Sequence, residues 1–287
     1  MTERAPAWSL AVAAIVIVQL GVALSPQLMG IVGPAGTAWL RLTAGGLMLL
    51  AFARPKLRNY SREDLRIALL LGVITGAMLV AFLAALDRLP LGTTVAIEFL
   101  GPLTVAAFRA HRRSALVWPA LALAGVVALT EPWVGATDLL GIALALIAGA
   151  GWGAYILLTQ SVGDRFSGLD GLAITIPIAA LTAAIPGIPQ AWGHITLGAI
   201  ALAIGLAVIA PVIPFALEVV ALRRLSAATF GTLMALEPAV GTVWGAILLS
   251  QIPHGLQLGG IALVVIAGIG AERAGRTAAP TTPFPLA

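Results

Sequence analysis

Ten runs of apolar residues, each 16 to 23 long, divide this chain, and short stretches between them hold almost all of its charge. The runs are Trp8–Leu24, Gly36–Ala53, Ile67–Leu86, Leu91–Phe108, Ala115–Thr130, Leu139–Thr159, Gly171–Ile188, Leu197–Val219, Ala227–Leu249 and Leu256–Ala271. About 20 apolar residues in a helix cross a bilayer core. Hydrocarbon offers no partner to a peptide N–H or C=O, so each crossing must satisfy its backbone internally. The pattern predicts an all-α polytopic membrane protein with ten transmembrane helices. Composition agrees: 60% of the 287 residues are apolar and 10% charged, against about 25% charged in soluble domains. A soluble enzyme, a nucleic-acid module and a disordered scaffold are excluded. The first run resembles a signal peptide, with Arg4 before it and Ala23-Leu24-Ser25 after it. Nine further runs and an interfacial Trp8 favour a retained helix.

The basic residues set the orientation. Fourteen of the sixteen fall in one set of alternate loops: Arg4, the cluster Arg54 to Arg66, Arg109 to Arg113, Arg165, Arg223, Arg224, Arg273 and Arg276. Arg88 alone lies on the other side, and Arg41 lies within a run. Loops rich in Lys and Arg stay in the cytoplasm. Both termini are therefore expected inside. One Lys beside fifteen Arg suggests a GC-rich bacterial source, and hence a bacterial inner membrane. The clustering of basic residues in loops also explains the pI near 10.6 without a nucleic-acid partner. From Glu272 the chain is rich in Pro and Thr, and 272–287 is expected to be a disordered tail.

An internal repeat links the two halves. Ala85-Leu-Asp-Arg-Leu89 returns as Ala221-Leu-Arg-Arg-Leu225, 136 residues later. At the same offset Thr93 meets Thr229, Leu100 meets Leu236 and Pro102 meets Pro238. The offset covers five runs. Five is odd, so the second copy enters from the opposite face: a 5+5 inverted-topology repeat around a central cavity. The expected division is 1–134 and 135–271, an arrangement associated with alternating access.

Charge within a span costs about 2.5–3.5 kcal/mol and marks a functional candidate. Arg41, Glu98 and Glu237 are the three at depth, expected to reach a common cavity. A buried structural ion pair is the alternative role for them. Glu218 lies close to the inner boundary, where a surface ion pair with Arg223 explains it equally well. Pro102 follows Glu98 by four residues and Pro238 follows Glu237 directly. A proline removes a backbone hydrogen bond, and paired interrupted spans point to a transport site. Trp152 and Tyr155 are candidate cavity-lining aromatics, with interfacial packing an equal alternative. The small-residue series Gly149-x-Gly151-x-Gly153 reads as a helix-packing face. The chain has no Cys, and His111, His194 and His254 lie in or near loops, so no metal or cofactor site is expected.

The run Leu89 to Pro102 (LPLGTTVAIEFLGP) resembles the EamA-type transporters of the drug/metabolite transporter superfamily, and within them the threonine/homoserine exporter subfamily. So do Ile213 to Glu218 (IPFALE), Thr229 to Pro238 (TFGTLMALEP) and Gly151 to Leu157 (GWGAYIL). The resemblance covers all ten runs. It implies a ten-helix inverted fold with a central substrate cavity and export of small amino acids or related metabolites. One departure is that many members carry Gly-Glu after the ninth span, where this chain reads Ser250-Gln251.

The leading expectation is a proton-coupled secondary transporter, not an enzyme. Arg41 would face the carboxylate of a small zwitterion, and Glu98 or Glu237 its ammonium. Export of aromatic or cationic compounds is the alternative within the superfamily. A channel or an intramembrane enzyme accounts less well for the repeat and for the lack of Cys or deep His. The partners expected are a small solute, protons and the lipid bilayer.

The topology is testable on this Cys-free chain. A cysteine at position 88 is expected to react with an impermeant maleimide only from outside, and one at position 112 only from the cytoplasm. Labelling from the opposite sides would reverse the assignment.

Overall fold

The computed structural model describes residues 6–56, 58, 60–109, 116–131, 133, 138–163, 165–166, 169–209, 213–214, 217 and 232–276. Glu218, Pro211, the second repeat copy from Ala221 to Leu225, Thr229, and the arginines at 112, 113, 223 and 224 lie outside them, as does 277–287. Among the described residues the regular structure is helical, with no strand. Six helical stretches are long and apolar enough to cross a bilayer: Trp8–Ala53, Arg62–Leu86, Leu91–Phe108, Leu139–Thr159, Asp170–Ala191 and Thr232–Leu249. Val117–Thr130, Leu197–Ala207 and Gly255–Ala271 are shorter apolar helices. Large apolar side chains such as Phe52, Leu181, Ile185 and Ile247 stand exposed on the outside. Fully buried positions are rich in alanine, including Ala11, Ala38, Ala96, Ala145, Ala183 and Ala267. An apolar exterior around a small-residue interior is the packing of a multi-pass membrane protein.

The first helix, α1 (Ala7–Ala53), counts 47 residues, about 70 Å if straight at 1.5 Å per residue. It is not straight. Gly33, at φ 74° and ψ 169°, occupies a backbone region reached essentially only by glycine. The Arg41 side chain meets Ser25, sixteen residues away. A straight helix would separate them by about 24 Å, so α1 folds back into two arms, α1a (7–32) and α1b (34–53). The break expected between Leu24 and Gly36 is thus a single residue. Pro26 does not end the first arm, and Pro34 opens the second, where a missing N–H costs nothing. The orphan amides of Ala35 and Gly36 both donate to Gln190 Oε1, at 2.7 and 3.1 Å. A Cβ on Gly33 would overlap that same glutamine.

Helix α2 (Arg62–Leu86) opens with a reciprocal capping box between Ser61 and Asp64. After it come α3 (Leu91–Glu98), α4 (Leu100–Arg109), α5 (Val117–Thr130), α6 (Leu139–Gly163), α7 (Asp170–Ala191) and α8 (Leu197–Ala207). The last two are α9 (Glu237–Leu249) and α10 (Gly255–Arg276). Helix α7 extends three residues beyond the expected Ile188, and α10 continues into the segment expected to lack structure; the expected end of the eighth run at Val219 lies outside the described residues.

Glycines bring these helices to backbone contact and reveal their relative directions. Gly187 lies against Ala35 and Trp39, while Pro177 lies against Gly46, so α1b and α7 are antiparallel. Gly72 meets Thr175 and Ile178, and Gly76 meets Ala179 and Thr182, so α2 and α7 are parallel. Helices α2 and α6 are antiparallel, pinned at one end by Arg165 on Asp64 (2.9 Å) and at the other by Arg88 on Asp138 (2.7 Å). The Asp138 carboxyl is held below its ordinary range, first by the Gly141 N–H and then by Arg88. The α6 glycines confirm their packing role: Gly149 and Gly153 seat α3 and α4, and Gly151 seats Met78 of α2. Helices α5 and α10 cross antiparallel where Gly125 and Gly260 meet.

The hinge of α1 is expected to be intolerant of change. Gly33→Ala must leave a backbone region that costs about 1–3 kcal/mol for other residues. Gln190→Leu strands two amides at about 1–3 kcal/mol each. Both variants should show lowered thermal stability in detergent, whereas Gly30→Ala, with no neighbour near its Cβ position, should leave it nearly unchanged. Equal melting temperatures for all three would disprove the account of the hinge.

Candidate functional site

Helices α3 and α9 form the centre of the site. Leu91 packs on Gly245, Gly92 on Thr242, and Val95 on Gly241. The numbers fall on one helix as they rise on the other, so the pair is antiparallel. Continued by one turn, this register sets Glu98 level with Glu237. Helical periodicity also puts each acid on its facing stripe: Leu91, Val95 and Glu98 on α3, and Glu237, Gly241 and Gly245 on α9. Glu237 is 6% exposed, and Glu98 is half-buried.

Both acids stand at helix interruptions, and proline chemistry explains where these fall. Pro102 has no N–H to give the Glu98 carbonyl four residues earlier, and the helix breaks at Phe99 between α3 and α4. Gly149 of α6 approaches that carbonyl so closely that a Cβ would sit 2.8 Å from it. Pro238 likewise gives Met234 no donor. A turn at 235–236 separates residues 232–234 from α9, which begins at Glu237.

Arg41 sits on α1b, 7% exposed. Its Nη1 donates to Ser25 Oγ at 2.8 Å, and Ser25 in turn donates to the Gly21 carbonyl at 2.8 Å. Its Nε is buried and has no hydrogen-bond acceptor. Among the described residues no carboxylate lies within ion-pairing distance of Arg41; the ion pairs present are on other residues. The sequence allowed an Arg41–Glu98 pair as a structural alternative, and the structure does not form it. Trp152 of α6 meets Phe99 edge-on, with ring centroids 6.2 Å apart, directly beside the α3–α4 break. Tyr155 is elsewhere: it packs with Ala68, Leu71, Phe166 and Ile174. It is not brought to the acids.

Two buried polar residues escaped the sequence reading, and a third was singled out there without its role. Gln19 of α1a is 2% exposed, its Oε1 has no partner, and it lies against Gly241. Thr37 is fully buried with an unpartnered Oγ1, one turn before Arg41. Gln251 accepts the Leu91 N–H at 2.9 Å, capping α3. The signal for Gln19 was available: it is a lone amide in an apolar run. Uncharged polar groups, however, carry a smaller insertion penalty than ions and stand out less.

Comparison with known proteins gives one answer. Residues 139–270 match the EamA-like transporter family. The chain is 35% identical to "Threonine/homoserine exporter RhtA" of Salmonella typhimurium (strain LT2), over 94% of this chain and 93% of that protein. It is 37% identical to the protein of the same name from Escherichia coli (strain K12), over 93% and 92%. A protein of known crystal structure shares the fold at a TM-score of 0.62 and 18% identity, covering 94% of this chain and 98% of the other.

The Ser250-Gln251 departure has a structural reading that can be checked. Ser250 ends α9 in the left-handed region at φ 56° and ψ 27°, where glycine is favoured by about 1–2 kcal/mol. Gln251 supplies an acceptor to Leu91, a task a glutamate carboxylate also performs. Ser250→Gly is expected to raise the melting temperature in detergent. Gln251→Leu should lower it, by leaving a backbone donor unpaired at about 1–3 kcal/mol, and Gln251→Glu should hold it near the starting value. A Gln251→Leu protein as stable as the original would contradict the capping role.

Proposed function

The chain belongs to the EamA-like transporter family, and we propose that it exports small amino acids of the threonine/homoserine type across the bacterial inner membrane by alternating access coupled to protons. The activity is transport, not catalysis. The observation that carries the substrate class is Arg41: a buried guanidinium, oriented by Ser25, with one N–H unpaired and no carboxylate of the described chain beside it. An uncompensated buried charge is costly. A guanidinium offers a planar fork of donors that fits a carboxylate bidentately, so the substrate's own carboxylate completes the pair.

In this reading ten spans form two five-helix halves, 1–134 and 135–271, of inverted topology, with both termini cytoplasmic. The fold-back of α1 supports counting it as two passes. The antiparallel pairing of α3 with α9, which belong to the fourth and ninth spans matched by the repeat, supports the inversion. Glu98 and Glu237 are the coupling groups. Two carboxyls at one level, each beside a broken helix, exchange protons with whichever side the cavity opens to. Either takes the substrate ammonium when ionised. Trp152 forms part of the wall beside Phe99; Pro102 and Pro238 keep the breaks.

Efflux from amino-acid-loaded proteoliposomes tests this. Arg41→Lys is expected to lower threonine efflux at least about tenfold, because a point charge does not replace the fork, and Arg41→Met to abolish it with folded yield retained. Glu98→Gln and Glu237→Gln should impair efflux driven by a pH gradient more than equilibrium exchange. Full gradient-driven efflux in both glutamine variants would remove the acids as carriers. Full efflux in Arg41→Met would remove the carboxylate clamp.

A further inference from the structure

Two glutamines of this protein other than Gln19 serve as helix caps. Gln190 Oε1 receives two backbone amides at the start of α1b, and Gln251 Oε1 receives one at the start of α3. Gln19 is more deeply buried than either, yet its Oε1 accepts nothing from the protein. A buried amide oxygen left unpaired in a membrane protein loses the full desolvation cost with no return. An apolar residue of the same shape would fold at least as well there, so the amide points to a ligand.

Its position says which part of the ligand. Gln19 faces Gly241, whose lack of a side chain lets the amide come close: a Cβ there would stand 3.2 Å from Oε1, tighter than ordinary contact. Gly241 is one turn beyond Glu237 on the same stripe of α9 and packs on Val95 of α3. Along α1a, Gln19 is six residues from Ser25, the anchor of Arg41, a rise of about 9 Å. The same six residues turn the side chain about 120° around the helix, so the two groups reach the substrate from different sides. The carboxylate belongs to Arg41, and an ammonium is better served by the carboxylates of Glu98 and Glu237. The group left for a neutral amide is a neutral one. A hydroxyl donates its O–H to Oε1, and it accepts equally well from the amide nitrogen.

We infer that Gln19 recognises the side-chain hydroxyl of the transported amino acid and so sets the preference for hydroxylated over apolar substrates. This rests on the transport reading above. A site that hydrogen-bonds a hydroxyl rejects the analogue without one far better than an apolar pocket rejects the reverse.

The test is efflux of matched pairs from proteoliposomes: threonine against valine, and homoserine against 2-aminobutyrate. The starting protein is expected to prefer the hydroxylated member of each pair. Gln19→Leu should lower both preference ratios about tenfold or more, with 2-aminobutyrate efflux kept or raised and detergent stability not reduced. Gln19→Asn keeps the amide but withdraws it by one methylene, and should lower the ratios by less. Should Gln19→Leu fold poorly, Gly241→Ala provides the second route: crowding the amide should move the ratios in the same direction. Unchanged ratios in folded variants would overturn the inference, as would equal losses for both members of a pair, the outcome expected if the amide met the ammonium. A starting protein that moves none of the four amino acids would instead overturn the transport reading itself.

Discussion

Every interruption of a helix inside a bilayer leaves backbone groups that lipid cannot satisfy, and this architecture is organised around supplying their partners. The hinge at Gly33 frees the first amides of α1b, and Gln190 reaches across from the far end of α7 to take two of them. The start of α3 is closed by Gln251 from beyond α9. Each cap is a contact distant in sequence, so closing a helix end also fixes one helix against another. The α1 hairpin thereby acquires its register against α7, and α3 its register against α9. Without those two registers neither the Arg41–Ser25 bond nor the common level of Glu98 and Glu237 would follow.

The glycines act on the same constraint from the other side. Lipid tails are as apolar as leucine, so helices in a bilayer gain little from burying apolar surface and associate through close packing. Gly72, Gly76 and Gly187 bring α7 into backbone contact with α2 and α1b, and Gly149 and Gly153 do so for α6 with α3 and α4. The approach of Gly149 to the Glu98 carbonyl joins the two effects. Pro102 removes that carbonyl's amide partner, and the glycine allows a neighbouring backbone to cover it. Close packing thus tolerates a broken helix at the place where an acid is needed.

Much of this was legible in sequence, for reasons that differ from feature to feature. Apolar run length identifies membrane helices because the hydrocarbon thickness is fixed, and Pro102 and Pro238 mark breaks because a missing N–H is a covalent fact. The end of the first arm was not legible: the apolar run stops at Leu24, yet the helix continues through Pro26 to Val32. A proline inside a packed helix costs one bond, whereas the reversal needs the backbone angles that only Gly33 allows. Tyr155 is in sequence a candidate for the cavity only on equal terms with interfacial packing. The helical turn directs it away, toward Phe166 and Ile174. The roles of Gln190 and Gln251 were beyond reach, since each depends on a partner about 155 to 160 residues away.

The contrast among polar residues carries the argument from fold to site. Most buried polar groups here have a partner that explains them: Ser25 holds Arg41, Thr75 and Thr242 bond back to their own helices, and the Trp244 indole donates to the Val16 carbonyl. Arg41 Nε, Thr37 Oγ1 and Gln19 Oε1 do not. All three lie on the two arms of the α1 hairpin, the element whose register depends on a glutamine from α7. Thr159 Oγ1 on α6 and Glu131 Oε1 after α5 also lack a hydrogen-bond partner, but three such atoms gather on this one hairpin, where they are retained at a cost in stability. In the transport reading proposed above, a zwitterion bearing a hydroxyl would supply the complement of Arg41 and Gln19, and Thr37, one turn from Arg41, would offer a further donor to the same carboxylate.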